Sequence, residues 1–300
     1  MTKVKANGLE IETATYGPPL GEPLLLIMGL GAQMIRWPMA LIDKLTARGF
    51  RVIAFDNRDV GLSEKLDAAG PPDMGAIFAA AREGRAPSAA YTLADMANDA
   101  IGVLDGLGIA RAHVVGASMG GMIAQLVAAD HPDRVLSLTS IMSTTGAADL
   151  PRATPEAMAV LNERGPDPKE DFEGFLAHSV KGSRVVGSPA YPGDEAELRA
   201  QAKAAYERAY HPVGFARQYA AVMASGDRRA ACARVTAPTV VIHGQADPLV
   251  PLAGGEDTAR RIAGAELVVI PGMGHDLPAA VHDRIVEVIV RVAERARAAA

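Results

Sequence analysis

Cysteine is almost missing from this chain. Cys232 stands alone among 300 residues, so no intramolecular disulfide can form, and a zinc site would have to be built from other ligands. No run of 18 apolar residues offers a membrane-spanning helix. The opening residues, Met1-Thr2-Lys3-Val4-Lys5, contain no apolar leader, which predicts a cytoplasmic protein without membrane contact. Basic excess is missing too. A net charge of -5 and the lack of a long basic run argue against nucleic acid as a partner. What is abundant is apolar substance. With 49% hydrophobic and 22% charged residues the chain can bury a sizeable core, as one large α/β domain or two small ones.

The apolar residues fall into short runs separated by helical patterns. Asn7-Gly8 joins two alternating segments, 2–6 and 9–16, and tolerates the positive φ angles of a type I′ hairpin turn. Apolar strands are predicted at 24–28, 51–55, 112–115, 135–142, 239–243 and 266–270. Helices are predicted at 38–48, from Thr92 to about Leu107, near 257–263, and at 281–297 before an Ala-rich end that should fray. Repeated βα units imply a mostly parallel sheet covered on both faces. Two stretches break the alternation. Residues 145–234 are polar, helical and strandless, too long for a loop, and read as a cap inserted after the sixth strand between core segments 1–144 and 235–300. Residues 65–91 are either part of that lid or a surface excursion.

Gly116-Ala117-Ser118-Met119-Gly120 follows one of these strands and opens a helical run. A strand, a sharp G-x-S-x-G turn and a helix form a nucleophile elbow. Strand end and helix start nearly touch there, so the flanking positions must be small. The turn lifts the serine hydroxyl clear of the sheet, above a helix N-terminus that favours developing negative charge.

A serine hydroxyl needs a base, and the base needs a carboxylate to hold its tautomer. In this architecture both follow the serine in sequence, on loops after late strands. Asp247, in His243-Gly244-Gln245-Ala246-Asp247-Pro248, and His275, in Pro271-Gly272-Met273-Gly274-His275, occupy such loops. The competitors are weaker. Asp276 adjoins His275 in sequence, and Asp149 lies seven residues beyond its strand. His113 begins the elbow strand and faces the wrong edge. His131, His178, His211 and His282 lie on helices or in the cap. His243, at a correct strand end, is the serious rival base.

A tetrahedral intermediate needs two preorganised N–H donors. The backbone N–H of Met119 should supply one. The N–H of Leu30, in the Gly29-Leu30-Gly31 loop after Met28, should supply the other. Asp56-Asn57-Arg58-Asp59-Val60-Gly61-Leu62-Ser63 is read as a structural loop in which Arg58 makes buried polar contacts. Trp37, Met142 and Met273 are candidates to line an acyl pocket. Phe172, Phe175 and Phe215 are candidate specificity residues of the cap, with a small cap core as their other reading. Because the catalytic loops lie outside the cap, cap changes are expected to alter substrate choice more than chemistry.

The elbow, the Met-Gly loop followed by Trp37-Pro38, the Asp56 loop and the Asp-Pro and Pro-Gly-Met-Gly-His signatures together resemble the serine α/β-hydrolases. The Asp56 loop departs from the D-x-R-G-x-G-x-S pattern only in carrying Asp59 where glycine is usual. Within that superfamily the chain is similar to the aclacinomycin methylesterase branch. The resemblance implies hydrolysis of a small-molecule carboxylic ester through Ser118, His275 and Asp247, with no cofactor and no metal. The differing cap keeps that branch's substrate from being carried over. A lactonase, a carbon–carbon hydrolase or a cofactor-free perhydrolase would use the same triad. Serine at the elbow disfavours haloalkane dehalogenases and epoxide hydrolases, which carry aspartate. An intact triad disfavours a non-catalytic receptor on the same scaffold.

Overall fold

A computed structural model describes residues 1–298. Eight strands form one sheet: β1 (Thr2–Ala6), β2 (Leu9–Tyr16), β3 (Glu22–Ile27), β4 (Phe50–Phe55), β5 (Ala112–Ala117), β6 (Val135–Ile141), β7 (Thr239–Gly244) and β8 (Glu266–Ile270). Their order is β1-β2-β4-β3-β5-β6-β7-β8; β1 and β2 run antiparallel to their neighbours and the rest are parallel. Asn7 (φ 49°) and Gly8 (φ 83°) form the tight turn of the β1–β2 hairpin.

The strand between two covered faces shows why the apolar runs are continuous. On β3, Leu25 and Ile27 join one core cluster while Leu24 and Leu26 join the other. Helices α1 (Met39–Ala47), α2 (Met74–Arg82), α3 (Leu93–Gly106) and α4 (Met119–Asp130) follow in the first half of the chain. The first core cluster packs α3 and α4 against the sheet through Leu93, Met96, Leu104, Ile123 and Val127. Thr92 caps α3 in a reciprocal box with Asp95.

The expected cap region contains α5 (Pro155–Asn162), α6 (Phe172–Val186), α7 (Glu195–Arg208), α8 (Pro212–Ser225) and α9 (Arg229–Cys232). Its last part turns back onto the sheet side: Ala221, Ala231 and Cys232 are buried in the α3–α4 cluster. Burial pushes the Cys232 thiol up to about 11, so this lone cysteine is an inert packing group. Within residues 65–91, α2 packs on α8 with Phe78 edge-on to Tyr219 at 5.9 Å, and Gly70 O accepts from Arg217 at 3.1 Å.

The chain closes with α10 (Leu252–Arg261) and α11 (His282–Ala298). Residues 299 and 300 of the Ala-rich end lie outside the described residues. α10 begins five residues earlier than its sequence suggests. Gly254 and Gly255 look like breakers, but a Cβ at Gly255 would stand 2.4 Å from His243 Nδ1, so close packing requires glycine inside this helix. α11 and α1 cover the second face with Leu41, Leu45, Ile285, Ile289 and Val292.

Candidate active site

Ser118 stands between β5 and α4 at φ 58°, ψ -122°, a conformation costly for a residue with a Cβ. The surroundings enforce it. Ser118 N–H donates to Ile141 O at 2.9 Å. A Cβ on Gly116 would come within 2.1 Å of Gly120 O, and one on Gly120 within 2.0 Å of Ile27 O. The smallness of the elbow positions is therefore a contact requirement.

Ser118, His275 and Asp247 form one hydrogen-bonded chain. Ser118 Oγ lies 2.8 Å from His275 Nε2, and His275 Nδ1 lies 2.7 Å from Asp247 Oδ2. An ionised Asp247 accepts the Nδ1 proton, which leaves Nε2 free to accept from the serine hydroxyl. Asp247 is itself fixed, with Oδ1 accepting from the N–H groups of Leu249 (2.9 Å) and Val250 (2.8 Å).

The rival histidine is engaged elsewhere. His243 is fully buried behind this loop and donates from Nε2 to Val250 O at 2.8 Å. Burial holds its pKa below the ordinary histidine value, so it supports the Asp247 loop as a neutral ring. Asp149 pairs with Arg229, and Asp276 accepts from Ser188. His113 lies near the other end of β5, between Ser137 Oγ and Glu22.

Gly29 sits against the nucleophile: a Cβ there would be 3.0 Å from Ser118 Cβ. Leu30 and Met119 border the same cavity as Ser118. Among the described residues, neither of their backbone N–H groups is engaged in a loop hydrogen bond. The loop is braced from the Asp56 segment. Asn57 donates to Met28 O at 2.9 Å, and Asp56 Oδ1 accepts from Met34 N–H at 2.7 Å. Arg58 pairs with Asp99 at 2.6 Å in the interior. Asp59, at φ 71°, accepts from both Nε and Nη2 of Arg217 on α8, at 2.8 and 2.7 Å. The replacement of glycine thus installs a buried tie to the cap.

The cavity over Ser118 measures about 1130 Å³. Met142 lines it, at φ 42° just after β6. Trp37 and Met273 do not. Both are buried in the core cluster that α1 and α11 form against the sheet, where their size fills space between layers. The cap phenylalanines need the same correction. Phe172 and Phe175 stack with Tyr206 and Tyr210 as a small aromatic core of the cap, and Phe215 covers Gly31. The cap lines the cavity instead with Met158, Leu161, Leu198, Tyr219, Val222 and Met223.

The cap also grips the catalytic loops. His275 N–H donates to Val186 O at 2.7 Å at the end of α6, and Gly274 N–H donates to Ser188 Oγ at 2.9 Å. Gln218 on α8 accepts from Gly31 N–H at 2.8 Å. Backbone and side-chain contacts thus join the expected cap to the loops that carry Gly31, Gly274 and His275. No motif marks Ser188, Arg217 or Gln218 in the sequence.

A serine-histidine-aspartate chain above a parallel sheet, opening into a covered apolar cavity, defines a serine-hydrolase-type enzyme. The chain belongs to the α/β-hydrolase family, whose pattern, described as alpha/beta hydrolase fold, matches residues 22–278. It is similar to a rhodomycin D methylesterase of Streptomyces peucetius, 33% identical with 91% of each chain covered. It is also similar to a 2-hydroxymuconate semialdehyde hydrolase of Pseudomonas sp. (strain CF600), 30% identical over 88% of this chain and 84% of that one. Among solved structures, an enol-lactonase from Burkholderia xenovorans LB400 shares the fold with a TM-score of 0.72 at 24% identity, covering 97% and 99% of the two chains. The chain is thus a hydrolase of the α/β-hydrolase superfamily.

Proposed function

We propose that this hydrolase cleaves carboxylic esters of small organic molecules through an acyl-enzyme. The observation that carries the reading is the Ser118–His275–Asp247 chain opening into the apolar cavity. In this reading residues 1–144 and 235–300 supply the reacting groups and residues 145–234 the lid. His275 Nε2 takes the Ser118 proton as Oγ attacks the carbonyl carbon. The oxyanion is held by the Leu30 and Met119 N–H groups. His275 returns the proton to the departing alcohol, and water attacks the acyl-enzyme by the same route in reverse. No step calls for a cofactor or a metal.

The likeness to a methylesterase and the size of the cavity support a methyl ester of a large apolar acid as substrate. A second reading, carbon–carbon or lactone cleavage, is favoured by Arg36 and Arg152. Both border the cavity, Arg36 with Nη1 donating to Gln201 Oε1, and so bring guanidinium groups to where a substrate carboxylate would lie. Turnover of a methyl ester, a lactone and a vinylogous diketone should be compared, with fluorophosphonate labelling to locate the nucleophile. Faster cleavage of the ester supports the first reading; turnover of the diketone alone replaces it with the second.

A further inference from the structure

Cap helix α8 lines the cavity with Tyr219, Val222 and Met223, and through Gln218, which does not, it also reaches the loop beside Ser118. Gln218 is fully buried and is absent from the cavity wall. Its Oε1 accepts from Gly31 N–H at 2.8 Å, and its Nε2 donates to Arg58 O at 2.7 Å. One amide therefore joins the loop after β3 to the loop after β4, with both of its polar ends engaged. The register of α8 is set independently by Arg217 on the Asp59 carboxylate and by Gly214, where a Cβ would lie 2.0 Å from Asp59 O.

The Gly31 amide is a sensitive point of that loop. Ala32 N–H donates to Gly29 O at 3.2 Å, closing a turn in which Gly31 has φ +67°. Positive φ at the third residue alone marks a type II turn. Its alternative, type I, differs chiefly by a flip of the Leu30–Gly31 peptide, and that peptide's N–H is the one Gln218 accepts. Leu30 is thus held between Gly29, packed on Ser118, and Gly31, tied to α8.

We infer that Gln218 is a positioning residue for the oxyanion loop, so that α8 sets the geometry of a transition-state contact. The inference rests on the esterase reading above. Being shielded from the cavity, Gln218 acts through Gly31 and not by touching substrate.

The test compares wild type, Gln218→Leu and Gln218→Glu on a p-nitrophenyl ester. Binding of a trifluoromethyl ketone, which forms an oxyanion on the serine, is measured beside binding of the product acid. In Gln218→Leu, kcat should fall about 10- to 100-fold with KM nearly unchanged. Ketone affinity should fall by a similar factor, while product-acid affinity stays. Gln218→Glu keeps the acceptor for Gly31, and its protonated form also donates to Arg58 O. Once ionised, the carboxylate faces the Arg58 carbonyl oxygen with no proton between them and is driven off the bridge. The variant's kcat should therefore decline relative to wild type as pH rises and the buried carboxyl ionises. That limb carries the test if the leucine variant does not fold. A folded leucine variant with wild-type kcat and ketone affinity overturns the inference, as does a glutamate variant whose kcat tracks wild type across the pH at which its own carboxyl is seen to ionise by carboxyl infrared absorption. Wild-type protein that neither cleaves the ester nor binds the ketone sinks the esterase reading first, and the inference with it.

Discussion

At the carboxyl edge of the sheet, the side chains of the Ser118–His275–Asp247 hydrogen-bonded chain are placed by backbone: Ser118 by a turn with positive φ, and His275 and Asp247 by short loops after β8 and β7. In the cap, by contrast, helices are placed by side chains. Arg217 reaches Asp59, Arg208 reaches Asp56 at 2.7 Å, and an aromatic cluster holds α6 to α7. The two regions meet where cap side chains hold edge backbone, at Gly31, Gly274 and His275. An inserted lid can thus diverge in sequence while remaining part of the machinery, provided a few polar ties persist. Residues that line the cavity and the residue that holds the Gly31 loop then share helix α8 without being the same residues.

The sharpest way to break this division is at the edge itself. Ser118→Ala should lower kcat by about 10³-fold or more while leaving the fold intact, and adding His275→Ala should cost little more, because the triad acts as a unit. A folded Ser118→Ala enzyme with wild-type turnover would place the nucleophile elsewhere.

Next in size is the cap's main tie. Arg217→Met leaves the Asp59 charge buried without its partner and should destabilise the protein by about 3–5 kcal/mol in urea unfolding. An unchanged midpoint and slope would show that α8 is held by apolar packing alone.

The cavity wall should respond differently. Leu161→Ala is expected to shift relative kcat/KM across acyl chain lengths by roughly 10- to 200-fold, the worth of about 1–3 kcal/mol of pocket contact. Phe172→Ala should lower Tm with the profile unchanged, because its ring packs within the cap. The opposite outcome for the pair would return specificity to the cap's aromatic core.

The smallest effect is a dependence on acid. Burial opposes ionisation of Asp59, yet Arg217, the Leu66 amide and Tyr91 hold its carboxyl below the usual aspartate range. A depressed folded value stabilises the protein above the unfolded value of about 3.9, and that contribution is lost as pH falls through the folded value. The stability gap between wild type and Asp59→Asn should be flat above about pH 5 and narrow below about pH 4. A gap independent of pH would mean that folding does not shift the Asp59 carboxyl from its unfolded value.

Sequence alone carried the sheet, the elbow and the neighbourhood of acid and base. Each depends on local rules: period-two apolar runs, Asn7-Gly8 at a tight turn, and small residues where two backbones touch. Asp247 and His275 were legible because loops after parallel strands must emerge on one edge. Only the tertiary structure decided that His243 faces Val250 and not Ser118, that Trp37 and Met273 fill the core beneath α1 and α11, and that Gln218 holds Gly31 from 187 residues away. Such contacts depend on where two independently folded surfaces meet. A helix of ordinary composition carries no local mark of the side chain that will complete another element's backbone.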